Sequence, residues 1–191
     1  MNEKEMMKIF EDTRALLSGH FELRSGLHSN KFFQCALLLQ YPRIAAQVCE
    51  ALAEKMKSIP ELTEIDTVIS PALGGIPVGH EVARALGTRF IFVEKNAEKM
   101  LELRRFKIEK GERFLVAEDV ITRGGRVQET IDIVEQNGGV VKSIGVLVDR
   151  SGGKAEFAYP LVSLLKIEPV TWEPAECPLC KENLPLVHPG S

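Results

Sequence analysis

The residues best suited to chemistry lie in one run, Phe114-Leu115-Val116-Ala117-Glu118-Asp119-Val120-Ile121-Thr122-Arg123-Gly124-Gly125. Its first four residues read as a buried strand, which delivers Glu118 and Asp119 to its carboxyl end, where ligands sit in open α/β sheets. Thr122 to Gly125 then turn tightly into a helix. Small residues let backbone amides approach a ligand, and a helix N-terminus favours an anion. The combination suits a molecule with vicinal hydroxyls beside a phosphate: Glu118 and Asp119 accept from the hydroxyls, and the amides of the turn wrap the phosphate. The glycine and lysine spacings match neither the dinucleotide-binding fingerprint nor the Walker loop. A lone Gly-Gly after a strand is more often a plain turn. The adjacent acid pair is what favours a site.

Alternating elements position this run. An amphipathic helix is predicted over 3–17, with Asn2 capping it, Glu5 answering three residues later, and Met6, Phe10, Thr13 and Leu17 on one face. Short strands follow at Phe21–Gly26, running into a turn, and at Phe32–Cys35, and Pro42 opens a second helix through Ile44, Val48 and Leu52. Thr67–Ser70 is a β-branched strand, Pro71–Gly75 a turn, and a helix ends near Gly87. Arg89–Val93 reads as a strand, and the charged, weakly patterned residues 94–107 as a mobile hairpin or loop. After the strand Phe114–Ala117 comes a helix from about Val127 to Gln136, then the last strong strand, Val140–Val148. Strands separated by helices imply right-handed βαβ units around a parallel sheet. From Pro160 onward lie six of the ten prolines, so a mostly irregular tail is expected there.

The chain has 191 residues, 45% hydrophobic and 27% charged, with a net charge of −3. That length suits one domain and buries roughly 70% of the unfolded surface, enough for a core without staples. The acidic balance offers no basic footprint for nucleic acid. No apolar run approaches a membrane span, and the start Met1-Asn2-Glu3-Lys4-Glu5 is too charged to lead into a signal peptide, so a cytoplasmic protein is expected. Four cysteines in a chain this long do not form a secreted disulfide framework.

The acid-pair run resembles the ribose-phosphate motif of type I phosphoribosyltransferases. Three further segments resemble orotate phosphoribosyltransferases, in the same order along the chain. Phe21-Glu22-Leu23-Arg24-Ser25-Gly26-Leu27-His28-Ser29-Asn30-Lys31-Phe32-Phe33 resembles their N-terminal segment, and Ser70-Pro71-Ala72-Leu73-Gly74-Gly75-Ile76-Pro77 their pyrophosphate loop. Val148-Asp149-Arg150 resembles the strand end whose arginine meets the orotate carboxylate. The resemblance covers residues from about 5 to 165 and points to a short-loop branch of the family.

The resemblance implies an α/β type I phosphoribosyltransferase fold: a central parallel sheet flanked by helices, with a small hood from the N- and C-terminal segments. A single domain over 1–191 is expected, with its core at about 60–150 and hood and tail at about 1–40 and 151–191. Phosphoribosyl pyrophosphate is expected to bind Arg24, Lys95, Glu118, Asp119, Val120, Ile121, Thr122, Arg123, Gly124, Gly125 and Arg126. Orotate is expected at Phe32, Phe33, Thr122 and Arg150, with Ala72, Leu73, Gly74 and Gly75 forming the pyrophosphate loop. Lys95 and Asp119 are the catalytic candidates, and Lys99, Arg104 and Arg105 are further loop cations able to close over pyrophosphate. The family's pyrophosphate loop holds a non-proline cis peptide, which here falls between Ala72 and Leu73.

Departures from the family are local. Arg24 stands where a lysine is usual, Gly74 where many members carry a lysine, and Met100 where a histidine is common; Glu94 replaces an arginine. The implied reaction joins orotate to the ribose of the donor with release of pyrophosphate. Orotate is already an anion and supplies the nucleophilic nitrogen, so no Ser, Cys or His nucleophile is required. Catalysis is then positioning and electrostatics. Mg²⁺ is expected to be held mainly by substrate phosphates rather than by an all-protein cage, and a homodimer with shared active sites is implied.

Cys177-Pro178-Leu179-Cys180 has the spacing of half a zinc site. Only His188 stands nearby in sequence, so no metal ligand is assigned, and free thiols are the expectation, with a cross-subunit site or a redox pair as alternatives. Two rival functions stay open at this stage: transfer to another base such as a purine, and a non-catalytic regulator that senses phosphoribosyl pyrophosphate. The Phe21–Phe33 segment and Arg150 suit a small carboxylated pyrimidine and speak against the first. A nucleic-acid-binding form of the second lacks a basic face or an added helix-turn-helix.

Overall fold

The computed structural model describes residues 1–23, 25–59, 64–168 and 170–188. Helix α1 (Glu3–Asp12) leads to strands β1 (Leu16–Glu22) and β2 (His28–Phe33), the short α2 (Ala36–Leu39) and the long α3 (Pro42–Lys57). Then come β3 (Thr67–Pro71), α4 (Gly75–Leu86), β4 (Arg89–Lys95), β5 (Leu101–Glu102), β6 (Arg113–Ile121), α5 (Gly125–Gln136) and β7 (Val140–Asp149). The last described elements are β8 (Leu161–Lys166), β9 (Thr171–Trp172), a 3-10 turn (Pro174–Glu176) and α6 (Pro178–Lys181).

Six strands form the central sheet in the order β5-β4-β3-β6-β7-β8. Every pair is parallel except β4 with β5. Alternation along β6 feeds two cores. Phe114 and Val116 join Val127, Ile131 and Val134 of α5 on one face, whereas Leu115 and Ala117 join residues of α3 and α4 on the other. Each such fully buried large apolar side chain contributes about 1.5–3 kcal/mol. Arg113 pins the start of β6 to the start of β3: its guanidinium donates to both carboxylate oxygens of Asp66, at 2.9 and 2.7 Å. That pairing draws the Asp66 carboxyl down to about 2.

The chain runs outward from β3 to β4 and β5, then returns to the other side of β3 and continues through β6, β7 and β8. The order therefore reverses between β3 and β6. In open α/β sheets this switch point leaves a crevice outside the strands' carboxyl ends. A second sheet, β1-β2-β9, is antiparallel and forms a hood. Phe33 of β2 anchors it through an edge-on contact with Phe10 of α1, ring centres 5.7 Å apart.

Two local expectations are corrected, and the hairpin expected within 94–107 is present. The first helix keeps its Asn2–Glu5 capping box but ends at Asp12, not residue 17. Arg14 takes a left-handed φ of 56°, and Leu16–Ser18 pair with Lys31–Phe33 of β2 instead. Tertiary pairing wins there over helical periodicity. The region from Pro160 is not mostly irregular either, because β8 lies parallel to β7 in the central sheet with Val162 and Leu164 buried. Its short apolar run was hidden by flanking prolines. Residues 94–107 begin as an antiparallel hairpin, with Lys95 opposite Leu101 and Arg126 of α5 donating to the Lys99 carbonyl at 3.3 Å.

Candidate active site

Two helix N-termini meet at the switch point. Helix α5 starts after Gly124, whose φ of 76° and whose closeness to Phe157 both exclude a side chain: a Cβ would lie 2.6 Å from the ring. No side chain caps α5, so its first amides stay open to an anion. Helix α4 follows β3 in the same way, with Gly74 at its cap and no capping side chain. The Ala72–Leu73 peptide that leads into it is cis, as the resemblance implied. A Cβ on Gly74 would lie 2.9 Å from Oδ2 of Asp119, so glycine lets this carboxylate rest directly on the loop.

Pleating sends the two acids to opposite faces of β6. Asp119 follows Leu115 and Ala117 toward α4 and lines a cavity of about 760 Å³. Its carboxylate accepts from the Val120 amide at 2.8 Å. Glu118 follows Phe114 and Val116 toward α5, buried, and accepts from the Asp119 amide at 3.2 Å. Burial, reinforced by the neighbouring Asp119 charge, pushes its carboxyl well above the ordinary range.

The opposite wall is built from the end of β7 and from the hood. Arg150 places its guanidinium carbon 5.2 Å from the centre of the Phe33 ring, within cation–π range. Burial lowers its basicity, and its Nε is buried without a hydrogen-bond partner among the described residues. An unpaired buried guanidinium donor is costly unless a ligand satisfies it, and a carboxylate matches its fork. Asp149 braces the following turn by accepting from the Ser151 amide at 2.9 Å and from its hydroxyl at 2.7 Å. Cys35 also lines the cavity, but burial pushes its thiol up, which leaves it inert.

Of the residues picked from sequence, Phe32, Phe33, Asp119, Val120, Thr122, Arg123 and Arg150 line one cavity. Ile121 instead packs into the core beneath α5. Gly125 and Arg126 form the first turn of that helix, and Arg126 pairs with Glu129 at 2.7 Å. Lys95 and Lys99 lie exposed on the β4–β5 hairpin, away from the cavity lining. Arg104 and Arg105 pair with Glu102 and Glu94, at 3.3 and 2.9 Å. Arg24 lies outside the described residues.

Sequence reading missed Lys154, which reaches the cavity from the turn after β7. It also missed His20 and His28, which face Cys177 and Cys180. His188, the candidate named from proximity, instead meets Glu22 at 3.3 Å. The available signal was a pair of histidines flanking the Ser25-Gly26 turn of a hairpin.

Residues 37–181 match the phosphoribosyl transferase domain. Over its whole length the chain is 50% identical to an orotate phosphoribosyltransferase of Caldicellulosiruptor bescii, covering 98% of that protein. It is 48% identical to one of Desulforamulus reducens, at the same coverage. Among solved structures, orotate phosphoribosyltransferase from Aeropyrum pernix superposes with a TM-score of 0.72 at 27% identity, over 85% of this chain and 94% of that one. An adenine phosphoribosyltransferase from Thermoanaerobacter pseudethanolicus shares the fold, with a TM-score of 0.62 at 23% identity, over 72% of this chain and 88% of that one. Crevice, acid pair and family match agree, and the chain belongs to the phosphoribosyltransferase family, among its orotate phosphoribosyltransferases.

Proposed function

We propose that the cavity at the β3–β6 switch point is where this enzyme joins orotate to the 5-phosphoribosyl group of phosphoribosyl pyrophosphate. The products are orotidine 5′-monophosphate and pyrophosphate, a step of pyrimidine biosynthesis. One observation carries the assignment of the site. A half-buried arginine whose buried Nε is unsatisfied among the described residues faces, across a single cavity, a strand-end carboxylate beside an uncapped helix. The arginine suits the orotate carboxylate, and the strand end suits a ribose phosphate.

In this reading the 5-phosphate sits on the open amides of Thr122 to Gly125. A ribose over the end of β6 meets Asp119 from one face and Glu118 from the other. The backbone of Ala72 to Gly75 contacts pyrophosphate, while Phe32 and Phe33 hold the orotate ring against Arg150. Because the orotate nitrogen is already an anionic nucleophile, the protein's part is to orient it and to exclude water. Charge building on the departing pyrophosphate is met by the N-terminus of α4 and by loop cations.

Mg²⁺ fits the donor set. It is a hard cation that takes oxygen ligands, and the cavity presents the Asp119 carboxylate at the pyrophosphate loop. Held by Asp119 and substrate phosphates, it would neutralise phosphate charge. Lys95 lies off the cavity lining, which supports a homodimer whose hairpin completes a neighbouring site. No described helix is long and apolar enough to cross a membrane, in keeping with a cytoplasmic enzyme.

The direct test mixes protein, Mg²⁺, orotate and phosphoribosyl pyrophosphate and follows the loss of orotate absorbance. Consumption of orotate is expected. Turnover of adenine but not orotate would reassign the base, and donor binding without turnover of either would indicate a sensor.

A further inference from the structure

The C-terminal end of the described chain folds back over the hood. Val187 bridges to Phe21, and its amide donates to the His20 carbonyl at 2.8 Å. This brings Cys177 and Cys180 onto His20 of β1 and His28 of β2. One ligand atom from each of these four side chains lies within 4.8 Å of every other.

The distances have the size of one coordination sphere. His20 Nε2 and His28 Nδ1 are 3.0 Å apart. Cys177 Sγ lies 3.5 Å from His20 Nε2, and Cys180 Sγ lies 3.6 Å from His20 Nε2 and 3.3 Å from His28 Nδ1. Around tetrahedral zinc, bonds of about 2.0–2.1 Å to nitrogen and 2.3 Å to sulfur place neighbouring ligands about 3.3–3.8 Å apart. The four distances given above lie close to those edges, and the remaining pairs lie within 4.8 Å. Their spread suits a single ion.

Local structure sets the ligands up. A bulge in β1 between Ser18 and Phe21 aims His20 at the same side as His28. The 3-10 turn and α6 put both sulfurs of Cys-x-x-Cys on one side, with Cys177 capping α6. His20 Nδ1 contacts the Leu184 carbonyl at 2.9 Å. A carbonyl can only accept, so Nδ1 carries the proton and Nε2 presents its lone pair to the sulfurs. Such an outer partner orients histidine ligands in metal proteins. His20, His28 and Cys177 are only 3%, 4% and 0% exposed, and none of the four lines the substrate cavity.

We propose that His20, His28, Cys177 and Cys180 form a structural zinc site, distinct from the Mg²⁺ of the reaction, that staples the C-terminal segment to the hood. Two thiolates and two imidazoles with no open position suit Zn²⁺ and suit neither Mg²⁺ nor Ca²⁺. The staple also has a place in binding, a consequence that rests on the proposed function. His28 shares β2 with Phe32 and Phe33, and β9, which pairs with β2, carries Thr171 of the cavity wall. Loss of the ion would loosen the orotate side of the site more than the phosphate side.

The test is metal content, independent of activity. Protein purified without chelator is expected to carry one zinc per chain by mass spectrometry, and Cys180→Ser, at an exposed position, to lose nearly all of it. Chelation is expected to lower the melting temperature of the wild type, and added Zn²⁺ to restore it. Should Cys180→Ser fail to fold, Co²⁺ added to reduced, metal-free wild type reads the same site, through thiolate-to-cobalt charge-transfer absorption and tetrahedral ligand-field bands. Absence of zinc together with absence of those bands, a Cys177–Cys180 disulfide in place of the metal, or full zinc retention in Cys180→Ser overturns the proposal. None of these results decides whether the chain turns over orotate, so the proposed function stands or falls separately.

Discussion

The floor and the roof of the cavity are built on opposite plans. The floor is continuous in sequence: β6, the Thr122–Gly125 turn and α5 follow one another, and β3 with α4 repeats the plan next door. The roof joins parts far apart in the chain, since Phe33, Arg150 and Thr171 come from three separate segments. A floor made by backbone amides at helix N-termini needs only small residues and a strand of the right length. A roof made by side chains needs a fold to bring them together, which is why it has its own braces: the Phe10 contact, the Asp149–Ser151 turn and the His/Cys cluster. In the proposed function the floor takes the phosphoribosyl donor, and the roof takes the base.

The sharpest way to break that division is at the floor. Asp119→Asn together with Glu118→Gln is expected to lower kcat by about 10²–10³-fold, the scale for losing charged groups aimed at the reacting ligand. Circular dichroism should stay unchanged. Near-normal turnover with unchanged donor affinity would remove the acids from the site.

At the roof, Arg150→Lys keeps the charge but loses the bidentate fork and the stacking on Phe33. Losing about 1.5–3 kcal/mol of charged hydrogen bonding raises the orotate KM roughly ten- to a hundredfold. The donor KM should move far less. Equal effects on both substrates would erase the distinction between floor and roof.

The hairpin tests whether one subunit holds the whole site. Lys95→Ala is expected to lower kcat about tenfold, the scale of one lost charged contact. Mixed with Asp119→Asn subunits, it should regain part of that activity, because a dimer with shared sites, as proposed, would then keep one site intact. Verified mixed dimers without recovery would place the hairpin over its own subunit's cavity.

The smallest effect is on stability. Burial and the Asp119 charge raise the Glu118 carboxyl above its ordinary 4.5, so folding favours the protonated form. That contribution is complete below pH 4.5 and is lost as pH rises toward the folded-state value. Glu118→Gln carries no charge, so melting curves across pH should show the variant gaining on the wild type above that point. Parallel curves would mean that Glu118 ionises freely.

The sequence by itself determined the floor. A β-branched or apolar run followed by small residues and a periodic helix specifies strand, turn and helix from neighbours alone, and adjacent acids at a strand end have few other uses. The capping box at Asn2 and the start of α3 at Pro42 were legible for the same reason. Tertiary structure decided whatever depends on which face a residue meets. Pleating put Glu118 and Asp119 on opposite sides of β6, and pairing with β2 turned Leu16–Ser18 from helix to strand. Pairing with β7 likewise drew Leu161–Lys166 into the central sheet. Long-range closure joined His20 and His28 to cysteines some 150 residues away, |i−j| of 157 for His20 with Cys177. No local pattern encodes such a meeting, because its free energy comes from contacts that exist only once the hood has closed.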